Sequence, residues 1–281
     1  MKIRILITTI FLLFLSLIPC STVNAVDCSC AVGIEMVFMG STVNEAYVGG
    51  LGDPPAHCIT GTETLELTGM MVPAGAMIFV IVHEYSATVD TSAGGTLSDG
   101  VNTYAKGTPI NNNNETLKGT GMYFYALNTQ ALTNQSITYT KASTDSIVSM
   151  SAFYATGIAT SNALDTAVTA TSYGQTIATT PIFTLTSGTP TQSGELFIAF
   201  MTFKQPTGQY QYLDTAHGWG EQELTVTSGC GVTANSMNAA MIGGAQINTG
   251  TTAKTFSPTM STAGGTGTVN WAAWILGFKH Q

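Results

Sequence analysis

From residue 26 onward, no segment of the chain carries sustained helical periodicity. What recurs instead is a short apolar or alternating run rich in Val, Ile, Thr, Phe and Tyr, bounded by Gly, Asn, Ser or Pro, the pattern of strands and turns. Such runs fall at residues 34–39, 64–68, 76–84, 102–106, 121–127, 136–140, 146–154, 182–186, 195–204, 223–227, 238–247 and 268–278. Twelve short strands at this spacing predict an all-β fold, and one jelly-roll-like β-sandwich accommodates them in a single domain of about 250 residues. Thr supplies about a sixth of the 281 residues, a bias that favours strands.

The sandwich is expected to consist of two structurally similar halves. Leu67-Thr68-Gly69 precedes a strand opened by Pro73-Ala74-Gly75, and Leu185-Thr186-Ser187-Gly188 precedes one opened by Gln192-Ser193-Gly194. Phe79 and Phe197 align at an offset of 118, and the same offset sets Gly121-Met122-Tyr123-Phe124 on Ala239-Ala240-Met241-Ile242. Each half then closes on an apolar strand, 147–154 and 269–278, after a shift of a few residues. The reading divides the chain into a signal peptide (1–25), an N-terminal arm (26–62) and the sandwich (63–281), with halves at about 63–160 and 181–281. Phe79, Ile81, Phe197, Phe200, Trp271 and Trp274 are the expected large core side chains. Trp271 and Trp274 lie an odd number of residues apart, so they should face opposite sides of their strand.

Export follows from the first 25 residues. Lys2 and Arg4 form a charged start, the apolar run from Ile5 to Leu17 follows, and Val23-Asn24-Ala25 offers a cleavage site. The run is too short for a membrane span and ends at Pro19. The alternative is a lipoprotein acylated at Cys20, which the preceding Pro19 suits badly. No second stretch is long and apolar enough to span a bilayer, so the mature chain is expected to be secreted or held at the extracellular surface. Cys28, Cys30, Cys58 and Cys230 are an even set for an oxidising compartment, which predicts two disulfides, one from each of Cys28 and Cys30. A metal site from Cys28, Cys30, His57 and Cys58 is the alternative.

Charge excludes whole classes of partner. Only 9% of residues are charged, 8 basic and 16 acidic, for a net charge of −8. Beyond the first 25 residues the chain has six lysines and no arginine, which leaves nothing to neutralise a nucleic-acid backbone and no bidentate guanidinium clamp. Catalytic motifs are missing too. His83-Glu84 has Ala87 where a zinc-protease helix needs its second His, and no Gly-x-Ser-x-Gly elbow occurs.

Candidate binding residues are few. Asp90, Asp99 and Asn102 lie in a Gly- and Ser-rich loop and would supply oxygen ligands to calcium, or form a solvated turn. A Gly-led apolar strand followed by the turn Asp99-Gly100-Val101-Asn102-Thr103-Tyr104 resembles secreted and phage-associated β modules, from which no residue role is carried over. Tyr210, Tyr212, Asp214, His217 and Trp219 group aromatics with Asp and His on a Gly-rich segment, a composition suited to sugar stacking or to plain loop packing. Asp214 with Glu221 or Glu223 would be the carboxylates of a glycoside hydrolase, though no motif places them. Asn114 and Asn134 each satisfy the N-glycosylation sequon.

The function expected from these features is a non-catalytic extracellular structural protein: an appendage, envelope or virion-associated subunit. A carbohydrate-binding or adhesion module is the alternative, and a secreted glycoside hydrolase comes after it. Expected partners are further copies of the chain or another surface protein, and glycans. Residues 31–39 would be either the edge strand of their own sandwich or a donor strand for a neighbouring subunit. Non-reducing peptide mapping of exported protein is expected to show Val26 as first residue and no free thiol among the four cysteines. Stoichiometric zinc with four free thiols would identify the metal site instead.

Overall fold

The computed structural model describes residues 25–26, 34–43, 63–86, 90–112, 119–143, 146–177, 183–204, 211–214, 219, 226–228, 239–262 and 268–281. Among them the chain forms strands and no helix. In order these are β1 (Ala25–Val26), β2 (Glu35–Val43), β3 (Thr64–Val72), β4 (Met77–Tyr85), β5 (Thr96–Ser98), β6 (Ala105–Lys106), β7 (Ile110–Asn111), β8 (Gly119–Ala126), β9 (Leu132–Thr140) and β10 (Ile147–Thr156). There follow β11 (Leu164–Ile177), β12 (Leu185–Thr186), β13 (Glu195–Lys204), β14 (Gln211–Asp214), β15 (Val226–Ser228), β16 (Ala239–Asn248), β17 (Thr255–Phe256), β18 (Thr259–Thr262) and β19 (Thr268–Phe278).

Two large antiparallel sheets dominate. One runs β1-β2-β10-β4-β8-β6, with β7 also on β8; the other runs β11-β19-β13-β16-β15. They face each other across one apolar layer. Phe79, Ile81, Tyr123 and Phe153 come from the first sheet, and Ile198, Phe200, Trp274 and Phe278 from the second. The outer faces are covered as well. The sheet β3-β9-β5 packs Leu65, Leu67, Ile137 and Tyr139 against Ile78, Val80 and Val148 of the first sheet. Leu185 of β12 and Phe256 of β17, with Trp219, pack against Phe197, Phe203, Trp271 and Ile275 of the second. The result is a sandwich-like stack in which the central strands of each large sheet, β4 and β13, are covered on both faces.

This stacking explains the sequence patterns. Along β4 every residue is buried, and along β13 all but the last. Both read as continuous apolar runs, as expected of strands covered on both sides. In β3, an outer strand, burial alternates until Gly69, where φ is +74° and the register with β9 shifts. That break is a β-bulge, which resets which side chains face inward.

All six expected core side chains are buried. Trp274 enters the central layer and Trp271 the outer one, where its ring stacks on Phe183 with centroids 4.2 Å apart. In the central layer Phe200 stacks on Trp274 at 4.8 Å and meets Phe79 edge-on at 6.0 Å, while Phe79 stacks on Phe153 at 5.1 Å. Close approach of the sheets requires Gly121, because a Cβ there would lie 2.1 Å from Thr202 Oγ1 and 2.5 Å from the Trp274 ring.

Strands β13 and β19 have the bounds read from the sequence; most others differ by a few residues. The segment expected at 31–39 as edge or donor strand contributes β2, which pairs with β10 of its own chain. The largest departure is β11, 14 residues long, where no strand is legible in the sequence. The expected signal peptide and all five cysteines lie outside the described residues, apart from Ala25 at the cleavage site.

Phe200→Ala is expected to remove about 3–5 kcal/mol of unfolding free energy, read as a lower urea midpoint at unchanged slope. Tyr173→Ala, at a side chain 56% exposed on β11, should stay within about 0.5 kcal/mol of the parent.

Candidate functional site

On one side the two large sheets end unequally. The first ends in β6 and β7, each two residues long, whereas the second ends in the 14-residue β11. Between these edges opens a cleft of about 660 Å³. Its floor is Tyr123 and Trp274, both buried and both packed against Phe200, at 6.0 and 4.8 Å between ring centroids. One wall is residues 108–111 and the other comes from β11.

Local chemistry shapes each wall. Gly107 lets the chain cross the Tyr123 ring, since a Cβ there would sit 2.2 Å from ring carbons, and its N–H donates to the Tyr123 carbonyl at 2.9 Å. The wall then carries Thr108 and Asn111, with the Asn111 Oδ1 held by the Thr120 hydroxyl at 2.9 Å. Opposite, Thr171 pairs with Trp274 and Tyr173 with Ala272. Thr171 and Tyr173 therefore share the face of the sheet that carries Trp274. Among the described residues no Asp, Glu, Lys, Arg or His lines the cleft.

The course of β11 is set by a buried carboxyl pair. Its pairing with β19 jumps from Asp165–Gly277 to Ala170–Ile275, so residues 166–169 bulge out of the ladder. Asp165 holds this bulge by accepting from the Ala167 N–H at 3.0 Å and from the Thr191 N–H and hydroxyl at 2.8 and 2.6 Å. Burial would raise its pKa, but the donors of Thr191, Glu195 and Ala167 outweigh that and hold the carboxylate at about 2. Glu195, fully buried on β13, is the other member. No N–H or O–H reaches its Oε2, and the neighbouring Asp165 carboxylate favours the protonated form of Glu195. Burial, then the hydrogen bond to Asp165 and its charge, push Glu195 up to about 7. Gly277 seals the pair, because a Cβ there would lie 2.8 Å from Glu195 Oε2. These carboxyls are neighbours inside the protein, where they act as a structural tie.

The residues singled out in the sequence fare unevenly. Asp99 and Asn102 do come together, in a self-contained turn. Asp99 Oδ1 accepts from the N–H groups of Val101 and Asn102, and Oδ2 from Asn102 Nδ2 and the Tyr104 hydroxyl, all within 2.9 Å. Both oxygens are thus engaged by the turn itself. Burial would raise the Asp99 pKa, but these donors override it and lower it. Asp90 makes a separate turn, accepting from the Ser92 N–H at 2.8 Å. Among the described residues no group of three His, Cys, Asp or Glu is placed to hold a metal.

Trp219 is 3% exposed, stacks on Phe197 at 6.3 Å and donates from Nε1 to the Thr255 carbonyl at 2.5 Å. Its ring belongs to the outer apolar layer. Tyr212 and Asp214 lie on β14, paired with Ser261 and Thr259 of β18. Asn134 stands exposed at φ +58° in a bulge of β9, between residues paired with Met70 and Met71. Tyr210, His217, Glu221, Glu223, Asn114, His57 and the cysteines lie outside the described residues. The cleft walls were missed, and the only sequence signal for them is one aromatic, Tyr173, within a Thr-, Ala- and Ser-rich stretch.

No family model matches the chain, and neither does any curated protein or solved structure.

The carboxyl pair generates a pH dependence. Between about pH 4.5, the ordinary Glu value, and about 7, the folded protein keeps a proton on Glu195 that the unfolded chain has lost, so stability falls as pH rises through this window. The depressed Asp165 acts oppositely: its contribution is present above its ordinary 3.8 and is lost as pH falls toward 2. Glu195→Gln, whose amide still donates to Asp165, is expected to flatten the profile between pH 4.5 and 7 in urea midpoints.

Proposed function

We propose that the protein is a non-catalytic structural β protein of the extracellular surface, exported after signal cleavage and assembled with further copies of itself into an appendage, envelope or virion-associated structure. The unit of assembly is a single jelly-roll-like sandwich of two similar halves. The strand orders β2-β10-β4-β8 and β11-β19-β13-β16 support the duplication at the level of topology, whereas the alignment of Phe79 with Phe197 does not carry over, since Phe79 faces the central layer and Phe197 the outer one.

The observation that carries the reading is the edge of β11. Among the described residues this strand has β19 on one side and no strand paired on the other, where the Gly188 N–H meets the Val168 carbonyl at 3.2 Å. From Ala170 to Ile177 its ladder is regular. Natural sheets blunt open edges with charge, Pro or short strands. Strand β11 contains no Lys, Arg or Pro, and its only charged residue, Asp165, is turned into the protein. Such an edge is a template for another strand, with main-chain hydrogen bonds as the source of affinity. A contact of this kind that does not close on itself builds a fibre.

Negative-stain microscopy of the purified mature protein is expected to show filaments or lattices. A monodisperse monomer at every concentration tested would overturn the assembly role.

A further inference from the structure

We propose that the cleft between residues 108–111 and β11 binds a neutral saccharide, with the Tyr173 ring as its stacking platform. This goes beyond the assembly role and stands or falls apart from it.

Size is the first argument. At about 660 Å³ the cleft lies within the roughly 300–1,000 Å³ of small-molecule sites, enough for a short oligosaccharide. Its chemistry then selects the ligand. An anion or cation would enter without a counter-charge, since among the described residues no carboxyl, amine, guanidinium or imidazole lines the walls, and would lose its hydration uncompensated. A purely apolar ligand would strand the hydroxyls of Thr108 and Thr171, and an unmade hydrogen bond costs more than a made one returns. A sugar without charge satisfies both sets: its hydroxyls pair with those groups, and its C–H face lies on an aromatic ring.

Tyr173 is the one large aromatic on the solvent side of this arrangement. It is 56% exposed on a strand otherwise built of Thr, Ala, Ser and Gly around it, where packing alone gives no reason for a ring. The floor beneath is rigid. Trp274 and Tyr123 are fixed by Phe200, so the cleft is formed before any ligand arrives, which removes an ordering cost from binding.

An array of neutral and acidic glycans, probed with the full mature protein, tests the assignment, with titration calorimetry on the strongest neutral ligand. Tyr173→Ala is expected to weaken that ligand by about tenfold or more and Tyr173→Phe to retain most of the affinity. Thr171→Val should weaken it as well. Met71→Ala, at an exposed side chain on β3, should change nothing. Urea midpoints of all four variants confirm that each is folded. Failure of every neutral glycan to bind, a preference for acidic ones, or undiminished binding by Tyr173→Ala would each overturn the proposal. Filament formation reads the assembly role separately, so loss of one leaves the other standing.

Discussion

Contact between the two large sheets through Phe79, Phe200 and Trp274 is the constraint on which the other layers depend. Once that face of each sheet is committed to its partner, the opposite face still carries Val80, Val82, Phe197 and Phe203, and these also must leave water. Burying a large apolar side chain contributes roughly 1.5–3 kcal/mol, so an uncovered second face would forfeit much of the fold's driving force. The outer pieces β3-β9-β5 and β12-β17 are that cover. Low charge follows from the same arrangement, because three stacked apolar layers leave few positions where a charge would meet water.

Polar groups inside the stack act as ties between layers. Glu84, fully buried on β4, accepts from the Tyr139 hydroxyl of β9 at 2.6 Å, the Ser146 hydroxyl at 2.5 Å and the Ala142 N–H at 2.9 Å. Tyr139 in turn accepts from the Gly95 N–H at 2.6 Å. One carboxylate therefore anchors an outer sheet, and the loop beside it, to an inner one. Asp165 and Glu195 do the equivalent for β11 and the segment before β13. Apolar contact alone tolerates sliding along a sheet. A buried group whose partner has slid away costs about 1–3 kcal/mol, which fixes register at these points.

How much of this was legible in the sequence follows from burial. Strands β4, β13 and β19 are covered on both faces, so their sequences are apolar throughout and their place in the core can be read directly. The opposite sides taken by Trp271 and Trp274 follow from parity alone. Trp219 was ambiguous because an aromatic among Gly, Asp and His fits a binding loop or a core plug, and only contact with Phe197 and Phe256 decides for the plug. The Asp99 turn shows the same limit. Its residues were recognisable as a unit, but calcium ligands and a self-satisfied turn require the same oxygen-bearing side chains.

Strand β11 escaped for a reason that bears on the cleft itself. An edge strand facing water on part of its surface gains nothing from continuous apolar residues, and Thr, Ser and Ala satisfy its conformation without a hydrophobic period. Across from it the first sheet ends in β7, only two residues long, which is too short to cover β11. The inner face of β11 is left partly open and carries Thr171 and Tyr173 where a covered strand would carry Val or Phe. The missing hydrophobic signal and the open cleft are thus one physical fact. Where a sheet overhangs its partner, the sequence stops looking like a core strand because water, or a ligand in its place, occupies the position of the next layer.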